Sequence, residues 1–297
     1  MIPLVSICVQ TYNHKDYIKQ CLDGILMQKT DFSFEIILGE DESNDGTREI
    51  CKQYASKHTE KIRLFLRSRK DVIYINGRPT GRYNFIENLK ACKGKYIALC
   101  EGDDYWINPL KLQKQVDFLE KNQDFRICYH AVKIYNQGKQ EFIPEYNTRE
   151  VEDITTINDL AQGNYINTPS VLIRNEIKIP KWFTKCALGD WTFYMLVVNS
   201  SKIMKMPEEM AVYRVHTESI WSGKSVEQRM IDTNKNIKIL ILSRLFNEKV
   251  NSILIKKLNY YNSKLDKSQR ITIGKFDRHI FRLKYGQSTD FYLRSHI

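Results

Sequence analysis

No apolar run in this sequence of 297 residues approaches the roughly 20 residues that span a bilayer. The opening Met1-Ile2-Pro3-Leu4-Val5 lacks a basic segment followed by an apolar one, so no secretory leader is expected. Cysteine is sparse: seven residues, an odd number, with no Cys-x-x-Cys pair. That argues against a zinc site or a disulfide framework and fits a reducing, cytoplasmic compartment. Cys8, Cys100 and Cys128 sit inside apolar runs and read as small buried hydrophobes. Glycine-rich phosphate loops are missing too. No Gly-x-Gly-x-x-Gly follows the first apolar run, and no Gly-x-x-x-x-Gly-Lys-Ser/Thr occurs, which speaks against a Rossmann dehydrogenase and a P-loop ATPase.

What is there is a soluble globular composition, 42% hydrophobic and 27% charged. The net charge of +11 is uneven. Residues 224–297 hold 16 Lys/Arg against 6 Asp/Glu, whereas residues 1–223 hold 30 against 29. An electroneutral body over 1–222 and a basic helical extension over 223–297 are expected. A pI of 9.2 and 17 tyrosines raise the alternative of a nucleic-acid-binding protein. The near-neutral body counts against it, and no nucleic-acid partner is expected.

The most informative segment is Glu101-Gly102-Asp103-Asp104, which follows the strand-like run Tyr96-Ile97-Ala98-Leu99-Cys100. Adjacent carboxylates at the end of a buried strand repel each other and lose solvation. A divalent ion with a diphosphate would relieve both. A solvated acidic turn is the other reading, and the tetrapeptide alone leaves both open.

Further strands are predicted at 4–9, 34–39, 62–66, 126–135, 170–174 and 209–216. Helices are predicted from about Asp16, around Glu49 to Tyr54, over 84–91, from Pro109 to about Leu119, and over 192–198. A long polar loop runs to Tyr83, and 136–165 reads as loop-rich. Strands alternating with helices predict an α/β fold with a mostly parallel sheet, whose ligands bind beyond the strands' carboxyl ends. Thr11-Tyr12-Asn13, Glu40-Asp41 and Asp103-Asp104 would then line one crevice. Asp190 heads an apolar helix and reads either as its cap or as a base at a pocket floor. His216 ends a strand beside Arg214, and is either a packed residue or a phosphate or metal contact. In the extension Ile231, Ile237, Ile241, Leu242 and Leu245 recur at helical spacing, interleaved with basic residues that include Lys235 and Lys238.

These segments, in this order, resemble the family 2 glycosyltransferases of GT-A fold. The resemblance rests on Val5-Ser6-Ile7 with Thr11-Tyr12-Asn13, on Gly39-Glu40-Asp41-Glu42-Ser43-Asn44-Asp45-Gly46-Thr47, and on Asn76-Gly77 with Asn84. It continues through Gly94-Lys95-Tyr96-Ile97, Gly102-Asp103-Asp104, Gly189-Asp190 and Tyr213-Arg214-Val215-His216, and covers residues 1 to about 222. It departs from the family pattern at Gln10, usually Pro, at Glu40, usually Asp, and at Glu42, usually Gly.

The resemblance implies nucleotide contacts at Thr11, Tyr12, Asn13, Asp41, Asn84 and Asp103. It implies a metal, Mn²⁺ or Mg²⁺, at Asp104 with His216, and a general base at Asp190. It further implies inverting transfer from a nucleotide-diphosphate sugar, with UDP as the expected nucleotide, to a hydroxyl of a glycan or lipid-linked glycan, as in polysaccharide or capsule synthesis. The basic extension reads either as a contact with the anionic cytoplasmic membrane face or as a packed appendage. Metal-dependent nucleotidyl transfer is the rival enzyme class, although Thr11-Tyr12-Asn13-His14 is not its glycine-rich loop.

Overall fold

Strand β1 (Val5–Thr11) sends Val5, Ile7 and Val9 into one apolar cluster and Cys8 into another. That is the alternation of a pleated strand covered on both faces. Helix α1 (Ile18–Leu26) follows, then β2 (Phe34–Glu40), where Ile36 and Leu38 oppose Ile37 in the same way. Next come α2 (Thr47–Lys57), β3 (Ile62–Leu66), a hairpin of β4 (Ile73–Ile75) and β5 (Arg78–Thr80), and α3 (Arg82–Ala91). The acidic turn leaves β6 (Tyr96–Glu101) and enters β7 (Tyr105–Trp106). Then follow α4 (Lys111–Lys121), β8 (Phe125–Asn136), β9 (Glu141–Ile143), β10 (Ile154–Thr156), α5 (Ile157–Ala161) and β11 (Leu172–Arg174). Helix α6 (Gly189–Val198), β12 (Lys202–Val215), α7 (Val226–Ser243), α8 (Glu248–Ser263) and α9 (Lys275–Tyr285) complete the order among the described residues. The computed structural model describes residues 2–144, 149–216 and 223–286. The expected boundary at 222/223 therefore adjoins residues outside those described.

The main sheet runs β10-β12-β8-β11-β6-β1-β2-β3. Strands β3, β2, β1 and β6 are parallel, β11 is antiparallel to both β6 and β8, and β12 runs parallel to β8. The predicted mostly parallel α/β sheet is thus present, with β11 reversing direction in its middle. Several elements go beyond the sequence reading. The loop before Tyr83 contains the β4–β5 hairpin, the region 136–165 holds β9, β10 and α5, and β12 begins at Lys202 rather than near Glu209.

The basic extension is packed into the body. Ile237 and Leu240 of α7 and Val250, Leu254 and Leu258 of α8 join the apolar cluster that contains Leu89 of α3 and Phe193 of α6. Ser225 and Asn247 cap α7 and α8 by accepting backbone N–H bonds. Leu245, predicted on the apolar stripe, lies beyond the end of α7 and is exposed. All seven cysteines are buried free thiols.

One buried charge stands out behind the acidic turn. Lys111 is fully buried, donates to Gln115 Oε1 at 2.8 Å, and sits over the Trp106 ring at 4.1 Å. No carboxylate pairs with it among the described residues, and burial pushes its ammonium down to about 7. The unfolded chain, with a lysine near 10.4, alone holds the proton between those values. The burial penalty is therefore full below pH 7 and fades as pH rises toward 10. Lys111→Met is expected to raise stability by about 2 kcal/mol at pH 6, a gain that shrinks toward pH 10. Urea denaturation at both pH values checks this; a pH-independent gain contradicts it.

Candidate active site

The carboxyl ends of β2, β1 and β6 lie side by side, and their exit loops are stitched together. The Asp41 N–H donates to the Thr11 carbonyl at 3.1 Å, and the Gly102 N–H to the Gln10 carbonyl at 2.9 Å. Asn13, His14 and Lys15 donate their backbone N–H groups to Ser43, Thr47 and Asp45. Asn13 adopts φ 53° there, and its side chain accepts from the Asn44 N–H. A side chain at Gly102 would meet Thr11 Oγ1 at 2.6 Å and His14 Nδ1 at 2.8 Å, so only glycine lets the acidic turn seat against β1.

The acidic turn is held from beneath by Arg214. Pairing of β7 with β12 at Trp106–Ala211 and Tyr105–Val212 brings that residue under the turn. Its backbone N–H donates to Asp104 Oδ1 at 2.8 Å and its Nε–H to the Asp103 carbonyl at 2.8 Å. The rest of the fork donates to Gln137 and Gln20. Tyr17, Tyr105 and Tyr135 stand around the guanidinium. Asp103 Oδ2 lies 3.0 Å from His216 Nε2 and 3.9 Å from His14 Nε2. Burial pushes Asp103 up, but the bond from His216 and the charges of both imidazoles hold it below the usual carboxylate range. Asp104 is buried, and burial together with the Asp103 charge raises it well above that range.

Asp104 Oδ2 and His216 Nδ1 are among the buried side-chain atoms left without a hydrogen-bond partner, as are Thr11 Oγ1 and Gln10 Oε1 at the same rim. In the neutral tautomer of His216 whose Nε2–H donates to Asp103, Nδ1 carries the lone pair, the arrangement by which a carboxylate orients a metal-binding imidazole. No cluster of three or more protein ligands exists among the described residues. The donor set therefore fits a hard cation that takes most of its oxygens from a diphosphate, and does not fit a closed structural site.

Asp190 lies in the first turn of α6, where Asn164 Nδ2 donates to its Oδ2 at 2.8 Å. Burial raises its carboxyl; the Trp191 N–H and the Arg82 charge oppose that rise. Arg82 is buried, donates to the Cys186 carbonyl at 3.0 Å, and lies over the Phe183 ring. A side chain at Gly189 would come within 1.9 Å of Arg82 Nη1, so glycine there admits the guanidinium beside Asp190. Burial and the Asp103 charge raise Glu101 to about 8; it accepts from Gln10 Nε2. Tyr213 feels the charges of Asp104, Asp103, Asp190 and Glu101 together, so the four acids share one neighbourhood.

Asp41 is buried beside this rim, with Arg69 Nη1 donating to its Oδ2 at 2.8 Å. Burial raises Asp41 and Arg69 opposes the shift. The Arg69 guanidinium also stacks on the partly exposed Tyr12 ring at 4.1 Å. Arg69 thus occupies the slot between Asp41 and the Tyr12 ring. Asn84 sits differently: it is buried, and its Nδ2–H donates to the Gly39 carbonyl at 2.8 Å, tying α3 to the end of β2. Glu40 and Glu42, the departures from the family pattern, organise the loop. Glu40 accepts from Arg48 and the Ser43 N–H, and Glu42, at φ 61°, accepts from the Arg69 N–H.

The sequence model described as glycosyl transferase family 2 matches residues 6–170. The chain belongs to that family. An uncharacterised protein of Mycobacterium tuberculosis is 34% identical over 228 residues, 76% of this chain and 62% of the relative's length. TuaG of Bacillus subtilis, named as a teichuronic acid biosynthesis glycosyltransferase, is 29% identical over 226 residues, 75% of this chain and 83% of that protein. Among solved structures, S. aureus TarS 1–349 in complex with UDP superposes with a TM-score of 0.60 at 19% identity, over 87% of this chain and 72% of that one. TarS 1–349 with UDP-GlcNAc gives 0.56 at 16% identity, over 89% and 82%. These superpositions show the GT-A fold.

For a family 2 chain, the sequence reading names the acids and misses the cations that hold them. Arg214 appears only as a neighbour of His216, and Arg69 and Arg82 carry no motif signal. Arg69 stands in the basic run Arg67-Ser68-Arg69-Lys70, which reads as a solvated loop. Arg214→Lys is expected to cost about 2–4 kcal/mol, because an ammonium cannot reproduce the three directed bonds of the guanidinium in a buried site. Guanidinium denaturation checks this; an unchanged midpoint contradicts the clamp.

Proposed function

We propose that this chain transfers a sugar from a UDP-sugar to an acceptor hydroxyl with inversion. The observation carrying the reading is the gathering of Glu101, Asp103, Asp104 and Asp190 at one sheet rim, next to the slot of Tyr12, Asp41 and Arg69. The bound UDP of the structurally similar TarS agrees with this choice of nucleotide, although at that identity the likeness carries only the fold. Tyr12 offers a stacking face and Asp41 an acceptor for a ring N–H, with Thr11 and Asn13 framing the slot. Arg69 lies between Tyr12 and Asp41, so a base seated there would displace or reorient that guanidinium. Asn84 acts by positioning the β2 end rather than by touching the nucleotide.

Asp104 and His216 would hold Mn²⁺ or Mg²⁺, oriented by Asp103 and Arg214. When bound, the ion neutralises charge on the departing diphosphate. The acceptor oxygen forms its bond to the anomeric carbon as the bond to the diphosphate breaks, and Asp190 takes the acceptor's proton. Asn164 holds the Asp190 carboxylate for that role, and the nearby Arg82 charge favours its ionised form. A raised carboxyl is a stronger base than one near 3.9, and it works only once ionised, so transfer rises with pH through a window above the ordinary aspartate range. Asp190→Asn is expected to lower kcat about 10²–10⁴-fold while leaving UDP affinity within about twofold. Full transfer activity in that variant would remove the base assignment.

Contact with an anionic membrane forms the second part of the proposal. Phe281 and Tyr285 of α9 pack on the core, whereas Phe276 and Leu283, two turns apart, are 76% and 69% exposed. Lys275, Arg278, Arg282 and Lys284 flank them. That pattern suits interfacial binding. No helix among the described residues is long and apolar enough to cross a membrane. Because α7 and α8 belong to the core, point variants test the idea better than truncation. Phe276→Ser with Leu283→Ser is expected to abolish sedimentation with phosphatidylglycerol vesicles; retention equal to the unaltered chain would end the membrane contact.

A further inference from the structure

Beyond the nucleotide rim, helix α7, residues 270–272 and the β4–β5 hairpin border an open cavity of 580 Å³. Lys185, Lys235, Lys238 and Arg270 line it, and no acidic residue does. Lys238 is paired with Asp277 at 2.6 Å, but no carboxylate pairs with Lys185, Lys235 or Arg270 among the described residues. Arg270 gives its Nε–H to the Leu265 carbonyl, an uncharged acceptor. Like charges gathered around one concavity repel one another, and the field inside attracts anions. Tyr74, Ile75, Ile239 and Ile271 supply apolar walls beside the cations.

The cavity shares its frame with the candidate base. Lys185 is followed by Cys186, whose carbonyl accepts from Arg82, and then by Gly189 and Asp190. Lys235 is followed by Asn236, which accepts from the Leu188 N–H at 3.2 Å and donates to Thr192 Oγ1 at 2.9 Å. Asn76, on the hairpin, donates to Asp232 of α7 at 2.9 Å. The cavity walls therefore run directly into the N-terminus of α6. The donor's diphosphate has its own place at the Asp103–Asp104 turn, so an anion bound here belongs to the other substrate.

Resting on the glycosyl-transfer reading, we propose that this cavity is an acceptor subsite for a diphosphate-like group bearing two or more negative charges. Three unpaired cations match such charge better than a single carboxylate, and Arg270 supplies the planar fork that phosphate oxygens favour. The basic extension, on this reading, selects the acceptor.

Calorimetry with inorganic pyrophosphate in metal-free buffer tests the site on the full chain. The unaltered protein is expected to bind, and Lys235→Glu with Arg270→Glu to weaken binding about tenfold or more. Lys185→Gln, at an exposed position, is expected to give a smaller loss with an unchanged far-UV spectrum. Equal affinity across these variants, or no binding to the unaltered protein, overturns the site. UDP affinity measured on the same samples reports separately on the donor reading. Phosphatidylcholine vesicles with and without phosphatidic acid identify the source of the anion. Phosphatidic-acid-dependent sedimentation lost in the double variant places a lipid headgroup in the cavity, and pyrophosphate binding without it places a soluble phosphorylated acceptor there.

Discussion

Crowding of carboxylates at the end of a buried strand is the constraint around which this fold is arranged. Asp103 and Asp104 cannot both sit comfortably ionised there, and Glu101 and Asp190 add to the field. Two buried arginines keep the arrangement in place. Arg214 binds the turn through its backbone N–H and side chain at once, and Arg82 lies beside Asp190 because position 189 has no side chain. The Asp103–His216 pair settles one acid as the anion and leaves Asp104 with an unsatisfied oxygen. On the proposed reading, a cation arriving with its own anionic ligand would take up that oxygen.

The topology explains how such distant residues meet. Parallel strands β2, β1 and β6 deliver Asp41, Thr11 and the acidic turn to one rim. The return of β12 brings Arg214 and His216 underneath, and α6 adds Asp190 from the other side of the turn. The C-terminal helices belong to this construction as well. Helix α7 holds the start of α6 through Asn236, so the extension that carries the excess charge also bears on the candidate base.

Much of the rim was legible in the sequence because Asp41 and the Glu101–Asp104 turn sit at the ends of apolar runs, where a buried strand must exit, and Asp190 heads an apolar helix. The continuous apolar, β-branched character of β1, β2 and β6 marked those runs, as expected of strands covered on both faces. Elements with weaker patterns were lost. The first half of β12, Lys202 to Pro207, interleaves lysines with methionines, and β4, β5, β9 and β10 are only three residues long. Arg69, Arg82 and Arg214 were illegible for a different reason. A lone arginine looks the same in solvent and in a buried clamp, and only the tertiary partners tell them apart. Asn84 shows the reverse case, a residue picked out by its motif whose amide supports the sheet end.

The central claim is that the Asp103–Asp104 turn holds a divalent ion against a nucleotide's diphosphate. Titration of UDP by calorimetry, with and without Mn²⁺, measures that coupling directly. The account predicts that Mn²⁺ tightens UDP binding about tenfold or more in the unaltered chain and has no effect in Asp104→Asn. UDP affinity that is indifferent to Mn²⁺ in the unaltered chain would contradict it.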